Sequence, residues 1–399
     1  MLLAVLGLMI VGVCYIYSAS HTGQGVSTAA EDVSATQVSL GQWLRQDHIK
    51  QGLGYLIGIG FILGLSLVDY KLLARWSMVA YGGSILLLLL VPLVGIEVYG
   101  AKRWLSVGPI NAQPSELAKL SFILALANFL SRPEAELKQS QTFFRAIGLT
   151  SVPFVLILLE PDLGSSLVFL PVALVMMFYA GIRTRYLKRI VLGGGGIVLF
   201  VVLNVVYAPP DWRIPFQEYQ RYRLLVFFNR PFTADLPSDA SEAEVKRMER
   251  LERDKRYNID QALISVGSGG VTGKGFGEGP QNALGYLPRA VKHNDFIFSV
   301  IGEEGGFIVS GFVVCCYGVI LVSGIRIAGQ ARDQLGQLIA VGVVSLLFVH
   351  VFINIGMNVR IMPVTGLPLP LLSAGGSSAV CSMIAIGLIH NVYLNRRNY

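Results

Sequence analysis

The sequence predicts an all-α, polytopic membrane protein of ten transmembrane helices, and three observations carry that prediction. Hydrophobic residues make up 53% of the 399 and charged residues only 14%, where soluble domains carry about 25% charged. Mean hydropathy is +0.59. Apolar stretches of roughly 20 residues recur along the chain, the length a helix needs to cross about 30 Å of hydrocarbon. The runs are continuous rather than alternating, which excludes a β-barrel.

Taken in order, the spans are predicted at about 1–19, 51–68, 76–97, 113–131, 145–159, 163–181, 190–207, 296–323, 336–356 and 371–393. The first has a small-residue end, as a signal peptide would, but lacks a basic n-region and reads as a retained helix. The fifth is short and ends at Glu160-Pro161. Orientation follows from basic residues in short loops. Lys71 and Arg75 follow span two, and Arg132, Lys138 and Arg145 follow span four. Arg183, Arg185, Lys188 and Arg189 follow span six, Arg326 and Arg332 follow span eight, and Arg396 and Arg397 end the chain. All fall on one side if both termini are cytoplasmic; Lys102, Arg103 and Arg360 are the exceptions. The net charge of +7 is therefore a cytoplasmic fringe and needs no nucleic acid. Cys14, Cys315, Cys316 and Cys381 lie in apolar spans and read as small core residues. The five histidines show no metal-ligand spacing.

Residues 1–399 form a single membrane domain, interrupted by a long loop at 208–295 between spans seven and eight. By parity this loop is extracytoplasmic, and its length predicts a functional segment. Ser238–Arg256 has a helix-start signal and mixed charges, the pattern of a solvated surface helix. GSGGVTGKGFGEG (267–279) follows. Lys274 after Gly273 fails the P-loop spacing, because Ser268 and Gly275 occupy required positions. Its glycines are expected to allow tight turns or close approach to another surface.

Ionisable residues inside spans are functional-site candidates by default. Glu116 and Lys119 lie three apart on span four and can pair; a structural pair is the alternative. Asp162, beside Glu160 at the break between spans five and six, could cap the next helix. Glu303 and Glu304 occupy the first turns of span eight as anchors or cavity groups. Asp295 opens that span, where a helix cap competes with a chemical role. Trp104 beside Lys102 and Arg103 reads as an interfacial anchor.

IYSAS (16–20), RWLSVGPINAQPSELAKL (103–120), EPDLGSSLVFLP (160–171), NDFIFSVIGEEGG (294–306) and GLPLPLLSAGGSS (366–378) resemble the signature blocks of RodA and FtsW proteins, the shape, elongation, division and sporulation family. The blocks occur in family order across essentially the whole chain. NIGM (354–357) with PVTGLPLPLLS (363–373) looks more like the RodA, cell-elongating branch than the FtsW, dividing branch. The resemblance implies a ten-helix bundle with cytoplasmic termini in a bacterial inner membrane. It implies a peptidoglycan glycosyltransferase that polymerises lipid II into glycan strands for elongation and rod shape, beside the elongation machinery and a class B penicillin-binding protein. It maps the family's essential aspartate onto Asp295, its tryptophan onto Trp104, its Q-P-S-E-x-x-K pair onto Glu116 and Lys119, and its P-D-L-G aspartate onto Asp162. The chain departs from the family with Arg289, Asn294, Arg360 and Ala374.

The chemistry matches those residues. Converting an α-linked sugar pyrophosphate to a β-linked product needs one inverting displacement, and a carboxylate at Asp295 could take the acceptor's proton. Lys102, Arg103, Arg223, Lys292 and Arg360 are cations on the right side for the leaving pyrophosphate. A divalent cation, Mg or Mn, is admitted without a defined site. Three other readings stand beside this one: a lipid II flippase, an FtsW-type division polymerase, and a non-catalytic scaffold for the penicillin-binding protein.

Overall fold

The computed structural model describes residues 1–21, 46–98, 101–107, 110–209, 212, 214, 218–236, 240–283 and 293–397. The chain is an α-helical membrane bundle. Among the described residues, nine helices are long and apolar enough to cross a bilayer. They are α1 (Leu2–His21), α2 (Asp47–Ser66), α4 (Ser77–Val94), α7 (Ser140–Leu159), α8 (Leu163–Ala180), α9 (Thr184–Tyr207), α13 (Ile297–Gln330), α14 (Gln334–Asn358) and α15 (Gly376–Leu394). Short helices α3 (Tyr70–Arg75) and α6 (Glu134–Leu137) lie in connections.

The predicted fourth span is α5 (Pro114–Leu130), of 17 residues, shorter than any of the nine. Pro114 at its first position suits a helix start, and 14 of its 17 residues are buried. A helix hidden all round belongs at the centre of a bundle.

Several predicted boundaries are corrected. Span five is not short: α7 begins at Ser140, because polar Ser140, Gln141 and Thr142 form its first turn. Span seven begins at Thr184, and span ten only at Gly376, after a non-helical stretch. The cysteines are not uniformly core: Cys316 and Cys381 are buried, whereas Cys14 and Cys315 are exposed, which an apolar thiol tolerates against lipid.

No strand is expected from the hydropathy pattern, yet a small antiparallel sheet of order β1-β2-β3 precedes α5. It comprises β1 (Ile96–Val98), β2 (Ala101–Val107) and β3 (Ile110–Ala112). Ile96 pairs with Trp104 and Leu105 with Ala112. The register shifts there, Ile96 and Glu97 facing Trp104 and Lys102, so Arg103 is the extra residue of a bulge.

The 208–295 region is built from helices where it is described: α10 (Glu218–Phe227), a 3-10 turn at Phe232–Asp235, α11 (Glu242–Ser268) and α12 (Pro280–Ala283). The helix expected at 238–256 is α11, displaced at both ends. Ser241 and Glu244 form a reciprocal capping box that sets its start. Its far end runs on to Ser268 because Ile259, Ala262 and Ser265 continue a buried face. A small second core of Val206, Leu225, Val226, Phe232 and Ile259 joins α9, α10 and α11.

Helix α13 is broken at Gly306, whose φ of 63° and ψ of −161° leave the helical region. The glycine-rich stretch fills the break. Amides of Lys274 and Gly275 donate to the carbonyls of Glu303 and Glu304 at 3.0 and 3.1 Å, ending the first half. Carbonyls of Gly270 and Val271 accept from Phe307 and Ile308 at 2.9 and 3.1 Å, starting the second. Every helix end leaves such groups orphaned, and here another backbone satisfies them. The approach is close: a Cβ on Gly273 (φ +79°) would lie 2.1 Å from the Glu304 carbonyl oxygen.

Candidate active site

Asp295 lies two residues before α13. The cap of that helix is Phe296, with no side-chain capping bond, so the carboxyl of Asp295 is not spent on the helix end. It lines a cavity of 290 Å³ with Tyr222 and Arg223 of α10, Asp254 and Asn258 of α11, and Val364. A second hollow of 80 Å³ is lined by Arg103, Asp162, Gln220, Arg223, Val364 and Thr365. Arg223 and Val364 line both. The two lobes thus meet at Arg223, with Asp295 and Asp254 in the larger and Asp162 in the smaller.

Burial raises the Asp295 carboxyl to a pKa of about 6; Arg223 and Arg103 oppose the rise and Asp162 adds to it. Asp295 is therefore ionised at neutral pH and still basic enough to hold a proton, the condition for a general base. Asp162 caps α8, accepting from the Ser165 amide at 3.0 Å, and also accepts from Gln113 Nε2 at 3.3 Å. Arg103 reaches over from β2 and donates to the Glu160 carbonyl at 3.3 Å and to that of Pro161. Glu160, buried beside Asp162, is pushed up to about 8, against the pull of Arg103.

Of the residues singled out from sequence, Asp295, Arg223, Arg103 and Asp162 come together here. Others do not. Lys102 is exposed and Trp104 half-buried, and neither lines the two lobes. Arg360 pairs with Asp260 of α11 at 3.4 Å and donates to the Val226 carbonyl at 3.2 Å, so it ties α10 and α11 to the end of α14. Lys292 and Arg289 lie outside the described residues. Glu116 and Lys119 form a buried ion pair at 2.7 Å deep in α5. Lys119 also meets His350 Nε2 at 3.1 Å, a partner the sequence reading missed. Glu303 and Glu304 belong to the α13 break. Glu303 accepts from Lys274 at 3.3 Å and the Gln281 amide at 2.9 Å; Glu304 accepts from Ser18 at 2.7 Å and the Gly277 amide at 3.1 Å.

Sequence reasoning also passed over Tyr222, Asp254, Asn258 and Asn358, and took Asn354 only as part of NIGM. His350, Asn354 and Asn358 recur every four residues on an apolar helix, a polar stripe that spacing alone could have flagged. Among the described residues no three His, Cys, Asp or Glu side chains gather to hold a metal ion.

This is the architecture of a polytopic membrane protein with a cavity lined by carboxylates and arginine. Comparison with known proteins gives the family. Residues 1–398 match the FtsW/RodA/SpoVE family, described as "Cell cycle protein", and the chain belongs to it. It is 33% identical to the peptidoglycan glycosyltransferase RodA of Treponema pallidum, over 98% of this chain and 96% of that protein. It is 30% identical to the peptidoglycan glycosyltransferase MrdB of Escherichia coli K12, over 100% and 93%. A chain in the solved structure "Structural coordination of polymerization and crosslinking by a peptidoglycan synthase complex" matches with a TM-score of 0.73 at 26% identity, covering 100% of this chain and 98% of that one. Thermus thermophilus rod shape determining protein RodA matches with a TM-score of 0.63 at 26% identity, covering 100% and 97%.

Proposed function

We propose that this chain is a peptidoglycan glycosyltransferase that polymerises lipid II, of the branch serving cell elongation. Asp295 is its general base, and the reaction inverts the donor sugar. The observation that carries the reading is the placement of Asp295: a carboxyl not used to cap its helix, with a raised pKa, in a cavity shared with Arg223. The acceptor hydroxyl gives its proton to Asp295 as it attacks. Arg223 and Arg103 stabilise the pyrophosphate as its bond to the sugar breaks. Asp162 and Glu160 hold the second lobe in shape through Gln113, Ser165 and Arg103.

In this scheme α5, as the fourth span, completes the ten, both termini are cytoplasmic, and 208–295 faces outward. The basic-loop asymmetry supports that orientation, which puts Asp295 where a sugar can reach it while the polyprenyl tail stays in lipid. A class B penicillin-binding protein is the partner, by analogy with the solved synthase complex. The flippase reading needs a polar path past Glu116 and Lys119. The hollow beside Glu116 is 20 Å³, room for about one water, which favours the polymerase.

The test is purified protein with fluorescent lipid II and glycan strands resolved on a gel. Strand formation that depends on Asp295 supports the proposal; lipid II transport without strand formation sinks it.

A further inference from the structure

Three consecutive carbonyls lead into α13, and each is met by a donor from elsewhere. That of His293 accepts from the Ala374 amide at 2.9 Å. That of Asn294 accepts from Ser373 Oγ at 2.6 Å. That of Asp295 accepts from two side chains, Asn354 Nδ2 at 3.2 Å and Asn358 Nδ2 at 3.1 Å. The helix ladder itself starts one residue later, at the Phe296 carbonyl. A buried carbonyl needs a donor, but one is enough. Both asparagines are buried, at 0% and 1% exposure, on an apolar span where each amide is costly to place. Two of them, one turn apart and aimed at one oxygen, exceed what satisfying that oxygen requires.

We infer that Asn354 and Asn358 are positioning residues for the transfer reaction, clasping the main chain at Asp295 so that only its two side-chain torsions remain to place the carboxylate. The inference rests on Asp295 being the base. Asn354 spends its other amide hydrogen on the Leu367 carbonyl at 2.7 Å, so one side chain ties two segments together. The second segment passes against the carboxylate itself: a Cβ on Gly366 would lie 3.6 Å from Asp295 Oδ2. Asn358 is aimed in turn by Ser299, which donates to its Oδ1 at 2.6 Å. A base acts only within hydrogen-bond reach of its proton, and a displacement of about 1 Å can cost about 100-fold in rate.

The test uses full-length protein with Asn354→Ala and Asn358→Ala, each alone and combined with Asp295→Asn. Rates are measured across lipid II concentrations, with long incubations for slow variants. Each single asparagine variant should lose about 10- to 100-fold in kcat and keep KM within about threefold. Added to Asp295→Asn, neither should lower the residual rate further, because positioning acts only through the carboxylate. Losses that multiply in the double variants, or a change confined to KM, would overturn the inference. Asn358→Ala removes its donations to the Asn354 carbonyl at 2.8 Å and Asn354 Oδ1 at 3.4 Å but keeps both bonds that Asn354 donates, so it decides alone if Asn354→Ala does not fold. An Asp295→Asn variant that keeps its rate removes base and clasp together. An inactive Asp295→Asn variant beside a fully active Asn358→Ala variant removes the clasp only.

Discussion

Replacing Asp295 by Asn separates chemistry from architecture. The substitution keeps the side chain's size, breaks no helix cap, and leaves the Asp295 carbonyl with its donors Asn354 and Asn358. What it removes is a carboxyl that burial has raised from 3.8 to about 6. A raised acid pKa means that the folded chain holds, between about pH 4 and 6, a proton that the unfolded chain has lost. Stability therefore falls as pH rises through that window, and the cost persists above it. Two units correspond to about 3 kcal/mol; because the residue is only half-buried, solvent reduces this to about 1–2 kcal/mol. The neutral variant should then be more stable than the parent at about pH 7.5 by that amount, while strand synthesis falls by about 10²–10⁴-fold. Thermal unfolding and glycan gels on the same preparation read both quantities. A variant polymerising within tenfold of the parent refutes the base assignment. One that melts lower refutes the account of the carboxyl's environment.

Glu116→Gln leaves Lys119 charged and buried, a loss of about 3–5 kcal/mol, and adding Lys119→Met should restore most of the melting temperature. The polymerisation rate should climb with pH through about 6 as Asp295 loses its proton. Glu160 ionises only near 8, placing a second charge beside Asp162. Its folded form keeps a proton from about pH 4.5 to 8, so stability declines across that range, and Glu160→Gln should flatten the decline in a pH series of melting curves. In a cysteine-free background, Ala243→Cys should label from outside the cell and Thr184→Cys only from inside; the reverse pattern would invert every placement made above.

Composition made the bundle legible because a helix crossing lipid announces itself by length and apolarity. The sheet was not legible: β1 and β3 have three residues each, too few to show a period. Capping at Ser241 and Glu244 was readable because both partners lie within four residues. The splice at Gly306 was half readable, since the glycines announced a close approach but not the surface they would meet. Arg360 shows the limit for charge. Its sign and side were plain from sequence, yet its partner Asp260 lies 100 residues away, and only the fold reveals that the cation is spent on α11. Asn354 was read as a marker of the elongation branch, because its target, a backbone carbonyl, has no signature at all.

Helix α9 has only 11% of its apolar window buried, so lipid rather than protein determines how it stands. Its apolar part, 190–207, extends about 27 Å against roughly 30 Å of hydrocarbon, and such a mismatch is absorbed by local thinning or by tilt. Its C-terminal end, at Val206, is seated with Leu225 and Val226 of α10 and Ile259 of α11, the same two helices that present Arg223 and Asn258 to the cavity. Acyl-chain length thereby becomes a mechanical input. A thicker bilayer draws α9 upright and a thinner one lays it over, and the arginine side of the cavity follows. Strand synthesis in vesicles of graded chain length should pass through an optimum, with the surrounding membrane acting as part of the enzyme's tuning.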